Sequence, residues 1–265
     1  MPDYQEMLTE IIGMIEQAGR DIILPGFKSA IRSQTKLDGS VVTEIDTACQ
    51  QDISSRLAIL DQGISFLGEE MDESSQIKCL AESGGRFWCL DPLDGTTNFV
   101  AGIPVFGTSL ALIENGEPVL ACIHDPVRKE TFTALRGRGA KSNGIATHAS
   151  VESELSRASG YIDFKRLKEP EKQRMIIPGI YRSQRNIGSC ALEWAWLAAG
   201  RGHFIVHGGE KIWDFAAGSL IASEAGCTVT DLSARPLFPR GSLSSPVLAA
   251  CNQTIHAQLE SILVS

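Results

Sequence analysis

The chain has 265 residues, enough for one large domain or two modest ones with a substantial core. Hydrophobic residues make up 43% and charged residues 21%, which excludes a disordered protein. The formal net charge of -8 gives no general attraction to nucleic acid or to an anionic membrane surface, so we expect neither as a partner.

Seven cysteines are scattered along the chain and lack the paired spacing of zinc or redox motifs, so we expect a reducing compartment. They are Cys49, Cys79, Cys89, Cys122, Cys190, Cys227 and Cys251. No secretory signal and no run of about 20 apolar residues is visible, so the sequence predicts a cytoplasmic protein.

Apolar residues at helical spacing predict an amphipathic helix over residues 4–23, which Pro25 and Gly26 should break or kink. A turn at residues 36–39 and a short strand at 41–43 follow. Thr43 and Asp46 then have the spacing of a capping box that starts the next helix. Asp46 is therefore either a helix-start charge or part of a site.

The next two predicted strands both end in acidic residues. Ile64–Leu67 is followed by Glu69 and Glu70, and Phe87–Leu90 by Asp91 and Asp94. Pro92 and Gly95 should end the second strand, and residues 96–98 are types that cap a helix. A turn and a metal or phosphate site are both compatible with this stretch.

The middle of the chain predicts a meandering antiparallel sheet, with a hairpin turn at Asn115 and Gly116. Its strands are residues 105–113, 118–124 and 131–135. The glycine-rich segment 136–144 lacks the spacing of a dinucleotide fingerprint, so we interpret it as a basic surface loop. Residues 149–187 form the least regular part.

Beyond this point the pattern predicts a buried helix over Ser189–Ala199, a strand over His203–His207 and a helix from Trp213 to Ala225. A strand over Val247–Ala250 and a last helix over Gln253–Leu263 complete the chain. Since no linker or repeat is visible, we predict a single domain over 1–265. Its N-terminal portion, about 1–145, would bind metal, and its C-terminal portion, about 146–265, would complete the site.

Four acids now stand at element ends, namely Glu69, Asp91, Asp94 and Asp214. Few Lys or Arg lie near them in sequence, and buried carboxylates need partners. Oxygen ligands without neutralising bases suit Mg²⁺. Two such ions about 4 Å apart could share Asp91 and promote hydrolysis of a phosphate ester.

Three segments resemble the signature motifs of the inositol monophosphatase family in order and spacing, and Val42–Asp46 resembles its upstream threonine–aspartate motif. These segments are Gly68–Glu70, Asp91–Phe99 and Trp213–Gly218. The resemblance implies the layered αβαβα sandwich of the inositol monophosphatase and fructose-1,6-bisphosphatase type. It also implies a homodimer and lithium-sensitive hydrolysis of phosphate monoesters with two or three Mg²⁺ ions.

Carried over residue by residue, the resemblance assigns metal ligands, catalytic groups and substrate contacts. Glu69, Asp91 and the Leu93 carbonyl would hold one metal, with Asp91, Asp94 and Asp214 holding a second. Thr96, bonded to Asp46, would orient the attacking water with help from Glu69. The Gly95 and Thr96 amides would receive the phosphate, and Asp214 and His207 lie at substrate positions. Lys36 aligns with a family lysine near the site.

The substrate is less well defined than the metal chemistry. Members that act on inositol phosphate usually carry a glutamate where this chain has His207; Glu210 is a possible replacement. Inositol 1-phosphate is the first expected substrate. Histidinol phosphate, fructose 1,6-bisphosphate and 3'(2'),5'-bisphosphate nucleotides are the alternatives. A non-catalytic, metal-dependent regulatory or binding module is the alternative of a different class.

Overall fold

Two β-sheets organise the chain in the computed structural model, which describes residues 4–27, 29, 33–35, 41–238 and 241–264. A short antiparallel ribbon, β1 (Ser33–Thr35) and β2 (Val41–Thr43), precedes them. The strands of the larger sheet are β3 (Ser65–Gly68), β4 (Phe87–Asp94), β5 (Gly107–Glu114), β6 (Glu117–Asp125), β7 (Glu130–Leu135), β8 (Ala140–Ser142) and β9 (Ile145–Ala146). Neighbours in this sheet follow chain order, and only the β3–β4 pair is parallel among the described strands.

The smaller sheet comes from the C-terminal portion and has the order β11-β10-β12-β14-β13. Its strands are β10 (Ser159–Asp163), β11 (Ser183–Arg185), β12 (Phe204–Lys211), β13 (Thr228–Thr230) and β14 (Ser244–Ala250). β10 pairs parallel with β11 and β12, whereas β14 pairs antiparallel with β12 and β13.

The helices form three layers around the sheets. They are α1 (Tyr4–Ala18), α2 (Leu24–Phe27), α3 (Glu44–Leu60), α4 (Glu73–Glu82), α5 (Thr96–Val100), α6 (Glu169–Met175), α7 (Cys190–Ala198), α8 (Ile212–Glu224) and α9 (Gln253–Val264). α1 and α3 cover one face of the larger sheet, α7 and α8 lie between the two sheets, and α6 and α9 lie by the far face of the smaller sheet. The predicted αβαβα layering is confirmed. No helix in the described ranges is long and apolar enough to cross a bilayer.

Of the break or kink predicted at Pro25 and Gly26, the structure excludes the break. A π-helical turn at Gly19–Ile23 follows α1, and the Leu24 N–H donates to the Gly19 carbonyl five residues earlier. The helix then continues through Pro25 to Phe27. A π-turn is one of the known ways in which a helix adapts to a local disruption, and proline has no N–H to donate.

β4 is longer than predicted. The predicted strand ends at Leu90, whereas the observed strand continues to Asp94 with a bulge, since Asp91 pairs with Ser109 and Asp94 with Gly107. Pro92 lies in this irregular stretch, where its missing N–H costs no regular ladder bond. Its carbonyl accepts a 3.0 Å hydrogen bond from the Thr108 hydroxyl. The bulge places both aspartates within the strand.

Helix α4 was not predicted. Gln76 is its one buried residue, so its sequence carries little apolar periodicity. The start signal is Asp72, which accepts a 3.0 Å bond from the Ser75 N–H as N-cap. The predicted basic loop at 136–144 also contains strand β8, while the hairpin turn at Asn115 and Gly116 is confirmed by their positive φ angles.

α7 and α8 pack closely because Gly218 has no side chain. A Cβ at Gly218 would lie 2.3 Å from Trp194 Cβ, an atom that no rotamer change can move. We expect Gly218→Ala to lower the free energy of unfolding by about 1–3 kcal/mol in urea titrations. Gly13→Ala is the control, since its Cβ meets nothing within 4 Å and a helical alanine stabilises by up to about 1 kcal/mol. Equal stabilities of the two variants would contradict the close packing.

Candidate functional site

A cleft of about 760 Å³ is bordered by the end of β4 and by the first turns of α5, α7 and α8. Four of the residues that line it are the predicted acids Glu69, Asp91, Asp94 and Asp214. Carboxylate oxygens of Asp91, Asp94 and Asp214 lie within 4.8 Å of one another. We refer to these three residues as the acid cluster. The structure thus brings together residues that are more than 100 positions apart.

Burial raises the pKa of each acid-cluster residue, and repulsion from neighbouring acids adds to the effect. The pKa of Asp91 is well above its ordinary value because of burial and the charges of Glu69, Asp94 and Asp214. Burial also raises the pKa of Asp94, to about 6. The pKa of Asp214 is well above its ordinary value, through burial first and then Asp94 and Glu69. Such a cluster favours either bound protons or a bound cation.

Backbone N–H groups hold the cluster in place. Asp94 Oδ2 accepts a 2.8 Å bond from the Ala191 N–H and a second bond from the Ser189 hydroxyl. Asp214 Oδ2 accepts from the Lys211 N–H at 3.1 Å, and Asp91 Oδ1 from the Leu93 N–H at 3.0 Å. No Lys or Arg side chain of the described ranges pairs with any of the three carboxylates. Their negative charge is therefore not neutralised by protein cations there.

Asp46 caps α3 and also contacts Thr96, so its position is compatible with both alternatives that the sequence left open. Its Oδ2 accepts from the Thr43 N–H at 2.8 Å and from the Thr43 hydroxyl, which completes the predicted capping box of α3. Its Oδ1 lies 2.9 Å from the Thr96 hydroxyl, which is also 3.0 Å from the Leu93 carbonyl. A single hydroxyl proton serves one of these acceptors at a time, so the oxygen keeps lone pairs for another donor.

Gly95 sits directly before α5 with φ at +93°. A Cβ at this position would lie 3.0 Å from the Val105 carbonyl oxygen and 3.2 Å from that of Gly188. Glycine is required both by the left-handed conformation and by this close approach. The backbone of Gly95 and Thr96 consequently reaches the cleft without a side chain in the way.

His207 lines the cleft but is almost fully buried, at 2% exposure. Its Nδ1 accepts a 3.1 Å bond from the Gly209 N–H, so that nitrogen carries a lone pair. Its Nε2 lies 3.1 Å from Asp163 Oδ2, without the alignment of a hydrogen bond. Glu210 does not line the cleft, because it is 1% exposed and accepts a bond from the Trp194 indole. It therefore does not replace a glutamate at position 207.

Three basic residues also line the cleft. Lys165, Arg166 and Lys211 line the cleft, and Arg166 pairs with Asp163 at 2.5 Å. The bond from Arg166 and the proximity of His207 hold the pKa of Asp163 below its ordinary value in spite of burial. Arg182 and Arg185 belong to the irregular region between 149 and 187, and neither lines the cleft. Lys36 lies outside the described residues.

Sequence reasoning missed Ser189, whose hydroxyl anchors Asp94 across 95 positions. The available signal was its N-cap position before the apolar run of α7, where it accepts from the Leu192 N–H. It also missed Arg166 and Glu193 on the cleft wall. Burial raises the pKa of Glu193 well above its ordinary value.

The residues present fit Mg²⁺. The buried carboxylates of Asp91 and Asp94 and the partly buried one of Asp214 lie within 4.8 Å and offer hard oxygen donors, and the described part of the chain supplies no basic side chain to pair with them. The cleft also has room beside them for a small ester. This arrangement is chemically suited to metal-assisted hydrolysis.

Residues 3–264 match the family model described as "Inositol monophosphatase family". A Thermotoga maritima protein named "Fructose-1,6-bisphosphatase/inositol-1-monophosphatase" is 36% identical over 82% of this chain and 84% of its own length. A Pasteurella multocida protein named "Nus factor SuhB" is 34% identical over 86% of this chain and 85% of its own. The solved structure of a Thermotoga maritima IMPase covers 98% of this chain and 97% of its own, with 31% identity and a TM-score of 0.86. The chain therefore belongs to the inositol monophosphatase family.

Proposed function

We propose that this protein is a Mg²⁺-dependent phosphatase that hydrolyses a small phosphate monoester. The observation that carries the proposal is the acid cluster, buried in a cleft and without a basic partner among the described side chains. Family membership supports the same reaction class.

Glu69, Asp91, the Leu93 carbonyl, Asp94 and Asp214 are the proposed holders of two or three Mg²⁺ ions. Bound there, Mg²⁺ would supply Lewis-acid stabilisation of the phosphate charge and lower the pKa of a water. The protein contributes the fixed positions of the carboxylates, which the Leu93, Ala191 and Lys211 N–H groups hold.

Thr96 and Asp46 are proposed to orient the attacking water. When the Thr96 hydroxyl donates to Asp46 at 2.9 Å, its oxygen lone pairs face outward to accept a proton of the water. Glu69 lines the same cleft and is the proposed base that assists it. The Gly95 and Thr96 N–H groups are proposed to bind the phosphate oxygens.

Inositol 1-phosphate remains the first proposed substrate, although His207 offers no anionic acceptor to its hydroxyl groups. Asp163, close to His207 on the cleft wall, is the carboxylate best placed to accept them. Histidinol phosphate and bisphosphate nucleotides have no specific observation in their favour.

Fructose 1,6-bisphosphate is the second candidate, favoured by a specific observation. Lys165, Arg166 and Lys211 line the cleft that contains the acid cluster, and a second phosphate needs such cations. The name of the Thermotoga maritima relative includes both activities. The alternative of a purely regulatory module is supported by the names of relatives, such as the Pasteurella multocida protein called "Nus factor SuhB". In that alternative the acid cluster would bind a metal without promoting hydrolysis, so the cleft beside it would have no catalytic use.

Phosphate release from inositol 1-phosphate, fructose 1,6-bisphosphate, histidinol phosphate and 3'-phosphoadenosine 5'-phosphate tests the proposal. We expect hydrolysis of at least one ester with Mg²⁺ and none in EDTA, with kcat/KM highest for inositol 1-phosphate. Absence of hydrolysis at every Mg²⁺ concentration would contradict the enzyme assignment and leave the regulatory module.

A glutamate at position 207 should shift the preference towards inositol 1-phosphate. The new carboxylate would stand beside Asp163, so the change His207→Glu is best combined with Asp163→Asn to avoid repulsion between two buried acids. We expect the ratio of kcat/KM for inositol 1-phosphate over fructose 1,6-bisphosphate to be about 10-fold higher in the double variant than in Asp163→Asn. This is the effect of one charged hydrogen bond of about 1.5 kcal/mol. Asp163→Asn alone is the control. If the double variant and this control have the same ratio, position 207 does not determine substrate specificity.

A further inference from the structure

A second group of ligand side chains lies behind the wall of the cleft, with a different chemistry from the acid cluster. It consists of Cys190 at the start of α7 and of His207 and Glu210 on β12. One ligand atom of each, the thiol sulfur, an imidazole nitrogen and a carboxylate oxygen, lies within 4.8 Å of the other two. We call it the thiol cluster. Cys190 and His207 line the cleft, while Glu210 lies buried behind them.

We propose that the thiol cluster binds one Zn²⁺ ion, separately from the Mg²⁺ ions proposed for the acid cluster. Sulfur, nitrogen and one carboxylate form a donor set that zinc uses, and hard ions such as Mg²⁺ avoid thiolate. Three protein ligands leave the fourth tetrahedral position open towards the cleft, where water or a substrate group fits.

An independent observation points to a missing ligand. Glu210 is 1% exposed, and its Oε2 accepts a 2.8 Å bond from the Trp194 indole. Its Oε1 is buried and has no hydrogen-bond partner among the described residues. A buried carboxylate oxygen without a donor is uncommon, because the lost hydration is not replaced. A cation beside it supplies what is missing.

The surroundings of His207 define how it would bind zinc. Nδ1 accepts from the Gly209 N–H with its one lone pair, so Zn²⁺ binding at this nitrogen would replace that hydrogen bond. Asp163 Oδ2 lies 3.1 Å from Nε2, in the position of the carboxylates that orient zinc-binding histidines through their other nitrogen. Bond lengths of about 2.0–2.3 Å bring zinc ligands to about 3.5 Å from one another. The separations of up to 4.8 Å between the ligand atoms would have to shorten to this value when the ion binds.

Binding has a defined stoichiometry of protons and a consequence for the active site. The Cys190 thiol must lose its proton to bind, so each Zn²⁺ ion releases one proton at this residue and no electron is transferred. Ser189 and Ala191, on either side of Cys190, hold Asp94. On the proposed phosphatase function, Zn²⁺ in the thiol cluster should therefore inhibit turnover by displacing Asp94 and covering His207.

The test uses the full chain, stripped of metal and then saturated with Mg²⁺ to fill the acid cluster. Co²⁺ replaces Zn²⁺ as a spectroscopic probe, since cobalt bound to thiolate shows a charge-transfer band in the near ultraviolet. We expect one equivalent of Co²⁺ to produce this band and one equivalent of Zn²⁺ to remove it. Cys190→Ser should abolish the band, and Glu210→Gln should weaken Zn²⁺ binding at least 10-fold.

Cys79→Ser and Cys227→Ser are the matched controls, because these half-buried thiols lie outside the thiol cluster and should leave the band unchanged. Thermal melts of all variants in EDTA check that they fold. A missing band, or a band that survives Cys190→Ser, overturns the proposal, as does Zn²⁺ binding that depends on Asp214 instead. Phosphatase activity without a thiolate band would refute the zinc site and leave the proposed function standing.

Discussion

Asp91→Asn should abolish phosphate release and at the same time leave the metal-free protein as stable as the wild type or more stable. Asn keeps the shape of the side chain and the acceptor for the Leu93 N–H, but it removes a carboxylate whose pKa burial and four neighbouring acids raise well above normal. Loss of the proposed shared metal ligand should lower kcat/KM by more than about 100-fold, because even outer-shell changes cost about 10–100-fold.

Thermal melts with and without Mg²⁺ separate the two effects. At a Mg²⁺ concentration of about 100 times its dissociation constant, binding to the folded state raises the free energy of unfolding of the wild type by about 2.7 kcal/mol. The variant should lose this stabilisation. Asp72→Asn is the matched control, since Asp72 lines the cleft as an exposed N-cap and Asn caps equally well. If Asp91→Asn retained wild-type activity and Mg²⁺ stabilisation, the acid cluster would not be the metal site.

Thr96→Val should lower kcat about 10²–10⁴-fold while Mg²⁺ stabilisation of the fold persists. Valine has nearly the same shape, so the change removes the hydroxyl that lies 2.9 Å from Asp46 and leaves the acid cluster intact. Single-turnover phosphate release, together with melts in Mg²⁺, measures both quantities.

Thr96→Ser is the control because it keeps the hydroxyl, and it should retain most of the activity. A Thr96→Val enzyme with wild-type kcat would remove Thr96 and Asp46 from the proposed water-orienting role. A loss of activity that is equal in the serine and valine variants would point to packing around α5 instead.

Local signals in the sequence predicted the parts of this fold that local physics determines. The capping box at Thr43 and Asp46, the hairpin at Asn115 and Gly116 and the acids at strand ends all depend on neighbours within a few residues. The family resemblance supplied the layering and the grouping of residues 91, 94 and 214, which distance along the chain hides.

The misses have physical causes. Helix α4 was not predicted because Gln76 is its one buried residue, which leaves no apolar periodicity to recognise. The prediction ended β4 too early because Pro92 lies in a bulge, and the bulge is visible only in the pairing with β5. The bond from Ser189 to Asp94 joins two elements that meet only after both sheets have formed. The burial of Glu210 likewise follows from its indole partner on α7, which the spacing along β12 does not indicate.

Two of the carboxylates at the cleft accept N–H groups at the start of a helix, Asp94 at α7 and Asp214 at α8, and Asp46 does the same at α3 behind Thr96. The positive ends of three helix dipoles, each with roughly half an elementary charge, therefore lie beside acidic side chains in or next to the cleft. This field offsets part of a negative charge with which no Lys or Arg of the described ranges pairs. The acid cluster can consequently be assembled without an ion, and on the proposed function Mg²⁺ would complete a folded site instead of creating it.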